Sequence, residues 1–315
     1  MAEHLTRLDP AKFSDPIVTL TGAPRARVAL RALDTLWFNT GTLCNLTCGH
    51  CYIESSPKND RLVDLSAAEV GEYLDEIERL ALPTSLIGFT GGEPFMNPAL
   101  PAMLEDVLSR NLRALVLTNA MKPMHKMKPA LLELRDQHGD RPTIRVSLDH
   151  YGRQVHEEER GRRSWQPTVD GLSWLASQGF DIAVASRRLS GESEAEIRAG
   201  FAGLFRKMSL ALDADDPQAL TVFPEMDPEA DVPEITEACW GILNKSPESV
   251  MCSSSRMVVK FKGAARPTVI ACTLLPYDQR FDLGPTLANA VGEVALNHPH
   301  CAKFCVLGGA TCSRH

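Results

Sequence analysis

The chain has 315 residues, 44% of them hydrophobic, with 33 basic and 40 acidic side chains and a net charge of −7. That is enough apolar material for one large core, or a large and a small one, and the acidic balance gives no global attraction to nucleic acid or an anionic membrane. No apolar run approaches the ~20 residues that span a bilayer, and the N-terminal MAEHLTRLDPAKF lacks the apolar stretch of a signal peptide, so the reading is a cytoplasmic protein.

Residues 1–30 are punctuated by proline and read as an extended arm packed on the main domain. From there short apolar runs alternate with helical patterns. LDTLWFN (33–39) predicts a buried strand and SAAEVGEYLDEIERLAL (66–82) a helix. Ser66 and Glu69 form a capping box, and Val70, Tyr73, Leu74, Ile77 and Leu80 make the apolar stripe. SLIGFT (85–90) is a strand, and NPALPAMLEDVLSR (97–110) a helix with Asn97 as cap and Pro98 at its first position. Strands follow at 113–118, 143–149, 180–186 and 219–223, and helices at 128–138, 167–179, 193–208 and 233–243. Six such β/α units predict an α/β fold, a parallel sheet rolled into a partial (β/α)6 TIM-like barrel. Beyond about residue 245 the pattern changes. Residues 257–272 read as a β-hairpin and the tail NHPHCAKFCVLGGATCSRH as irregular and cysteine-rich. The expected organisation is an arm at 1–30, a barrel at 31–230 and a small C-terminal domain at 231–315.

Nine cysteines are many for a chain of this compartment, where clustered thiols point to metal or catalysis rather than to disulfides. Three fall in TGTLCNLTCGHCYIES, at Cys44, Cys48 and Cys51, and five in 252–312. Cys239 stands alone beside Trp240 and reads as a small buried apolar residue. Three thiolates spaced C-x3-C-x2-C admit zinc, with His50 as fourth ligand, or a [4Fe–4S] cluster with one iron left open. The unusual residues all follow predicted strands: the cysteine triplet the first, GGEP (Gly91–Pro94) the second, Asn119 the third, Asp149, His150 and Tyr151 the fourth, Arg187 and Arg188 the fifth, Glu225 and Asp227 the sixth. In a parallel β/α barrel these strand ends share one face, where active sites are built.

CNLTCGHC resembles the C-x3-C-x2-C signature of radical S-adenosylmethionine enzymes, and the resemblance runs over roughly residues 33–225. GFTGGEPFMNP is similar to that family's second motif and VLTNA to its third-strand stretch. VSLDHYGRQVHEEERG resembles the fourth strand of the subgroup with extra C-terminal clusters. The resemblance implies a [4Fe–4S] cluster on Cys44, Cys48 and Cys51 whose open iron takes the amino and carboxylate groups of S-adenosylmethionine. Reductive cleavage then gives a 5′-deoxyadenosyl radical that abstracts hydrogen from substrate. It implies Gly91 and Gly92 for close approach of the methionine end, Glu93 for its ammonium and Pro94 for the turn. Ser147 and Asp149 are implied for the ribose, Arg160 for the methionine carboxylate, and His50, Tyr52 and Asn119 for adenine or sugar. Arg160 is equally readable as a surface partner of Glu157–Glu159. Asn119 is followed by Ala120 where related sequences often carry glycine.

Cys252, Cys272, Cys301, Cys305 and Cys312 resemble the twitch, or shortened SPASM, domain, which implies an auxiliary iron–sulfur cluster, expected to be [4Fe–4S]. Cys252, Cys272, Cys301 and Cys305 are the preferred ligands and Cys312 a substitute; a zinc knuckle using His298 or His300 competes. An auxiliary cluster suits two-electron oxidation, which also needs a base, and Glu225, Asp227, His150 and Tyr151 are the candidates. The arm is too short for a peptide-binding domain, so the expected substrate is a small molecule such as a sugar, dehydrogenated with electrons supplied by a flavodoxin- or ferredoxin-type reductant. Peptide modification, decarboxylation and rearrangement are the alternatives within the class. A non-catalytic iron–sulfur carrier or zinc module is the alternative outside it.

Overall fold

The computed structural model describes residues 7–139, 141–189, 191–224 and 229–309. Ten strands are formed: β1 (Arg27–Val28), β2 (Thr35–Asn39), β3 (Leu86–Thr90), β4 (Arg113–Thr118), β5 (Pro142–Ser147), β6 (Asp181–Arg187), β7 (Leu220–Phe223), β8 (Ser255–Val259), β9 (Thr268–Ile270) and β10 (Val294–Ala295). The helices are α1 (Ala67–Arg79), α2 (Leu100–Ser109), α3 (Lys122–Lys126), α4 (Lys128–His138), α5 (Arg153–Arg160), α6 (Trp165–Ser177), α7 (Glu194–Lys207) and α8 (Cys239–Ile242). β2 to β7 pair in parallel in sequence order, the six-stranded partial barrel that the alternating pattern predicts.

The strands are buried on both faces, as a covered parallel sheet requires. In β2, Leu36 and Phe38 join the core beneath the helices, with Val70, Leu74, Leu104 and Val107. Trp37, between them, turns to the opposite side and joins a second core shared with the C-terminal segment. The capping box at α1 forms, Ser66 Oγ accepting from Glu69 N at 3.2 Å and Glu69 Oε2 accepting from Ser66 N at 2.9 Å. Ser193 and Glu196 repeat it at α7; such a cap is worth about 1 kcal/mol.

Several expectations need correction. α2 starts at Leu100, with no side-chain cap, because the chain after GGEP first makes a tight turn at Pro94–Met96. Asn97 closes that turn; its Nδ2 donates to Leu65 O at 2.9 Å. The helix expected at 233–243 shrinks to Cys239–Ile242, since the backbone before it pairs with the arm: Ala26 N donates to Ile235 O at 2.9 Å, and Arg25 bridges to Thr236. The arm accordingly lies on the C-terminal segment. β1 pairs antiparallel with β10, and Glu234 accepts from Phe13 N, Leu20 N and the buried Arg25 guanidinium at 2.5–2.7 Å. The predicted hairpin exists as β8 and β9, but β8 also pairs in parallel with β2, so the hairpin extends the barrel sheet to eight strands. Among the described residues no helix is long and apolar enough to cross a membrane.

Candidate active site and a second thiol pocket

The loop leaving β2 carries Cys44, Cys48 and Cys51 to the C-terminal end of the sheet, where all three line one cavity. Tyr52, Gly91, Gly92, Asn119, Ser147, Asp149 and Arg160 line it too, so the structure gathers most of the residues expected at the cofactor. Two sulfurs accept backbone hydrogen bonds: Leu46 N donates to Cys44 Sγ at 3.4 Å and Ser55 N to Cys51 Sγ at 3.3 Å. Burial pushes the Cys44 thiol up to about 12, with Glu93 adding to the rise, and raises Cys48 as well, against the pull of Arg160. Thiols so placed ionise when a cation binds them.

The glycine pair has a first duty to the protein itself. Gly92 N donates to Gly41 O at 2.8 Å and Glu93 N to Leu43 O at 3.1 Å, which lays GGEP along the cysteine loop. A Cβ on Gly92 would meet Leu43 O at 2.1 Å, and one on Gly91, held at φ +138°, would meet Gly41 O at 2.5 Å. Only glycine fits at either place. Glu93 is buried behind this contact and does not face the cavity. Its carboxylate accepts from Thr118 Oγ1 at 2.7 Å, Asn119 N at 2.8 Å and Phe95 N at 3.2 Å. Burial raises it to about 7 against those donors. Pro94 starts the turn behind it. Asn119 donates from Nδ2 to Asn45 Oδ1 at 2.9 Å, and so anchors the cysteine loop from the third strand. Ala120 is held at φ +57°, which accounts for a position that glycine would also suit.

On the other wall, Asp149 is fully engaged. Arg160 Nε and Nη2 grip its two oxygens at 2.6 and 3.1 Å, and Arg187 Nε lies at 3.6 Å. Arg160 is therefore a buried, bidentate partner of Asp149, not a surface partner of the Glu157–Glu159 run; the pair holds the Asp149 carboxyl below its usual range despite burial. Glu159, one residue earlier, holds the cysteine loop. Its backbone carbonyl accepts from Gly49 N at 2.9 Å, and its carboxylate accepts from His50 N at 2.8 Å and meets His50 Nδ1 at 2.6 Å. The His50 side chain thus points away from the cavity. Arg187 donates to His50 O and lies 4.7 Å over the Tyr52 ring. Glu159 and Arg187 act across 109 and 137 residues of sequence; a strand-end position points to Arg187, while nothing local marks Glu159.

His150 and Tyr151, proposed as bases, stay out of the cavity. Both bond Glu192, at 2.7 and 2.5 Å, and their rings stack 4.1 Å apart over α7. Glu225 and Asp227 lie outside the described residues. Two polar atoms on the cavity wall went unnoticed in the sequence. Asn39 Nδ2 and Ser55 Oγ are buried with no hydrogen-bond partner among the described residues, so each has a hydrogen bond to offer a ligand.

A second pocket opens behind the first, lined by Cys252, Cys272, Cys301 and Cys305 among apolar side chains such as Met251, Phe281, Val294 and Leu296. Cys252 sits in a turn, Met251–Ser253, just before β8, Cys272 follows β9, and Cys301 and Cys305 sit one turn apart on a wide, π-type helical stretch, Cys301–Leu307. The wide turn puts C-x3-C on one face. Burial raises Cys252 to about 11 and lifts Cys301 well above the usual thiol range. Leu274 lines both cavities, and Tyr52 packs edge-on against His300 of the second and against Phe304. Cys239 is half-buried, faces neither pocket and contacts Thr236. Cys312 lies outside the described residues.

A model of the radical SAM superfamily matches residues 38–199, just over half of the chain. The chain belongs to the radical SAM superfamily. Its barrel is 32% identical over 143 residues to the antilisterial bacteriocin subtilosin biosynthesis protein AlbA of Bacillus subtilis, and 27% identical over 143 residues to the mycofactocin maturase MftC of Mycolicibacterium smegmatis. Each match takes in 45% of this chain but only 30% and 34% of those proteins, so the chain spans about a third of the length of the relatives it matches. The fold resembles Streptococcus suis SuiB bound to S-adenosylmethionine, with a TM-score of 0.58 at 12% identity over 81% of this chain and 63% of SuiB.

A radical SAM protein uses a [4Fe–4S] cluster and S-adenosylmethionine, and the first cavity fits both: three thiols on one wall, and unpartnered polar atoms and a glycine-rich edge on the others. The second pocket, four thiols among apolar side chains, is a donor set that fits an auxiliary iron–sulfur cluster.

Proposed function

We propose that this radical SAM enzyme abstracts a hydrogen atom from a peptide substrate, with the four-thiol pocket holding an auxiliary cluster beside the reaction chamber. The observation that carries the enzymatic reading is the single cavity that joins three thiols to the GG edge and the Asp149–Arg160 wall. A plain electron carrier has no use for such a chamber. The class of substrate rests on the relatives. Bacteriocins are peptides, and a bacteriocin biosynthesis protein and a maturase are among the proteins this chain resembles, which favours a peptide over the sugar-like metabolite expected from sequence.

A cluster held by Cys44, Cys48 and Cys51 supplies, with S-adenosylmethionine, the 5′-deoxyadenosyl radical. What the chain itself contributes is placement and shelter. Gly91 and Gly92 bring the β3 edge against the cysteine loop, Asn119 and Glu159 fix that loop from opposite sides, and Asn39 and Ser55 offer hydrogen bonds to what binds. Trp37, Leu117 and Phe223 give the inner wall an apolar surface that keeps water from a reactive carbon. A flavodoxin- or ferredoxin-type protein is the proposed reductant.

The test uses the anaerobically reconstituted protein with dithionite and S-adenosylmethionine. Formation of 5′-deoxyadenosine is expected, and its absence at full iron loading overturns the enzymatic reading. To choose the substrate class, perdeuterated cell extract is split into peptide and small-metabolite fractions and each is added. Deuterium in 5′-deoxyadenosine from the peptide fraction supports the proposal. Deuterium from the metabolite fraction alone replaces the peptide with a small molecule.

A further inference from the structure

Arg256, the second residue of β8, is 1% exposed, and among the described residues no carboxylate pairs with it. Its guanidinium is used entirely on backbone oxygens: Nε donates to Ala290 O at 2.9 Å, Nη1 to Cys252 O at 2.5 Å and Ser255 O at 2.8 Å, Nη2 to Gly292 O at 3.2 Å. Arg25 and Arg160, also buried, each grip a carboxylate. Among the described residues, the ionisable groups that act on Arg256 are the thiols of Cys252 and Cys272. Both thiols line the second pocket, whose remaining walls are largely apolar.

A cation buried without an anion is costly, and proteins rarely leave one so. The cost disappears when negative charge comes to lie beside it. An iron–sulfur cluster held by four thiolates carries net negative charge, and it gains more when it takes up an electron. Four carbonyls hold the guanidinium at a fixed place directly behind Cys252, so it cannot swing to solvent or to another partner.

We propose that Arg256 is the built-in countercharge of the auxiliary cluster and raises that cluster's reduction potential. The inference rests on the reading of the second pocket as a cluster site. One electron added to the cluster is stabilised by the fixed positive charge, because net charge near a cluster is one of the quantities that set its potential. The cluster is thereby a better acceptor for the electron that a substrate radical gives up on oxidation. Arg256 touches neither substrate nor, in this arrangement, sulfur; it is a positioning and tuning residue that acts through Cys252.

The experiment compares wild type, Arg256→Met and Arg256→Lys, each reconstituted anaerobically, with irons counted and both clusters followed by EPR during a dithionite-poised redox titration. Arg256→Met is expected to lower the reduction equilibrium of the auxiliary cluster at least tenfold, 59 mV for a one-electron couple, and to leave the other cluster's potential in place. Arg256→Lys keeps the charge and loses most of the carbonyl contacts; its auxiliary potential is expected to stay close to wild type. An unmoved potential in Arg256→Met, or a fall in Arg256→Lys as large as in Arg256→Met, overturns the proposal. So does failure of both variants to fold, which would assign the guanidinium to the carbonyls alone. If Arg256→Met fails to fold while Arg256→Lys keeps the wild-type potential, the charge is the part that matters and the proposal stands. Failure of the underlying reading looks different: the wild type itself would load only about four irons and show one EPR signal.

Discussion

The two thiol sites of this chain are built by opposite means. The first is local in its ligands and long-range in its supports. Cys44, Cys48 and Cys51 sit on one short loop, and that loop is held by Gly92 and Asn119 from two strand-to-helix connections and by Glu159 from α5. Charge surrounds it, with Asp149, Arg160 and Arg187 in one buried network. The second is long-range in its ligands and apolar in its supports: four thiols from three segments meet in a pocket walled by aliphatic and aromatic side chains. The first leaves a ligand position for a cofactor and offers it a polar wall. The second closes around its contents. A site that must exchange small molecules keeps charged walls, and one that must hold a fixed group is made dry.

The largest expected effect separates the two sites outright. Cys48→Ala should cut 5′-deoxyadenosine formation by about 1000-fold or more, some 4 kcal/mol in rate, while the irons of the second pocket stay bound. Combined loss of all irons would show that the sites assemble as one unit. The reciprocal change, Cys252→Ala with Cys272→Ala, should remove the second set of irons and leave dithionite-driven cleavage of S-adenosylmethionine within about tenfold of wild type. Turnover to product should be lost, as mass spectrometry of substrate would show.

Breaking the charged wall comes next. Arg160→Met leaves Asp149 buried without its partner, a change that costs about 3–5 kcal/mol in other proteins. Thermal denaturation should record it as a lower Tm, and iron should leave the first site before the second. Equal iron loss from both would contradict the separate supports described here. Asp149→Asn with Arg160→Met should recover part of the stability.

A smaller effect depends on pH. His156, on α5 behind Arg160, is fully buried, neither ring nitrogen has a partner, and burial lowers it to about 4 from the usual 6.5. The unfolded chain therefore binds the extra proton first. The contribution is steady above pH ~6.5, and stability falls as pH drops toward ~4, by at most about 1.4 kcal/mol per pH unit for this group. His298 and His300 are lowered in the same way near the second pocket. Urea midpoints at pH 5 and 7 should differ less in His156→Phe than in wild type; an unchanged difference would assign the acid sensitivity to the second site. The smallest effect is at Ser55, whose buried hydroxyl lacks a partner. Ser55→Ala should leave the ligand-free protein as stable or up to about 1 kcal/mol more stable, and weaken S-adenosylmethionine or substrate binding severalfold. Calorimetric titration decides it.

Legibility in the sequence follows the same division. The cysteine triplet and GGEP are each contiguous, so spacing alone exposed them; the structure brings the three cysteines, Gly91 and Gly92 to one cavity with Asn119, Ser147 and Asp149, and leaves Glu93, His150 and Tyr151 outside it. The barrel strands were legible for the same reason, because each is a short continuous apolar run. Glu159 was not, since its partners lie more than a hundred residues away and its neighbours Glu157 and Glu158 look the same on paper. Arg160 had two readings, and folding chose a third partner, Asp149, eleven residues back. The helix expected at 233–243 failed because its amphipathic pattern could not show that the arm would take up its backbone groups. β8 read as half of a hairpin; that it would also lie parallel to β2 is a non-local fact about the sheet edge.

Leu274 faces both chambers at once. In evolutionary terms that makes it a residue with two juries. A substitution that reshapes the reaction chamber for a new substrate must also be tolerated by the thiol pocket behind it, and the reverse. Such a shared wall narrows the set of neighbouring sequences through which this chain can drift, and it ties the history of the first chamber to the history of the thiol pocket behind it.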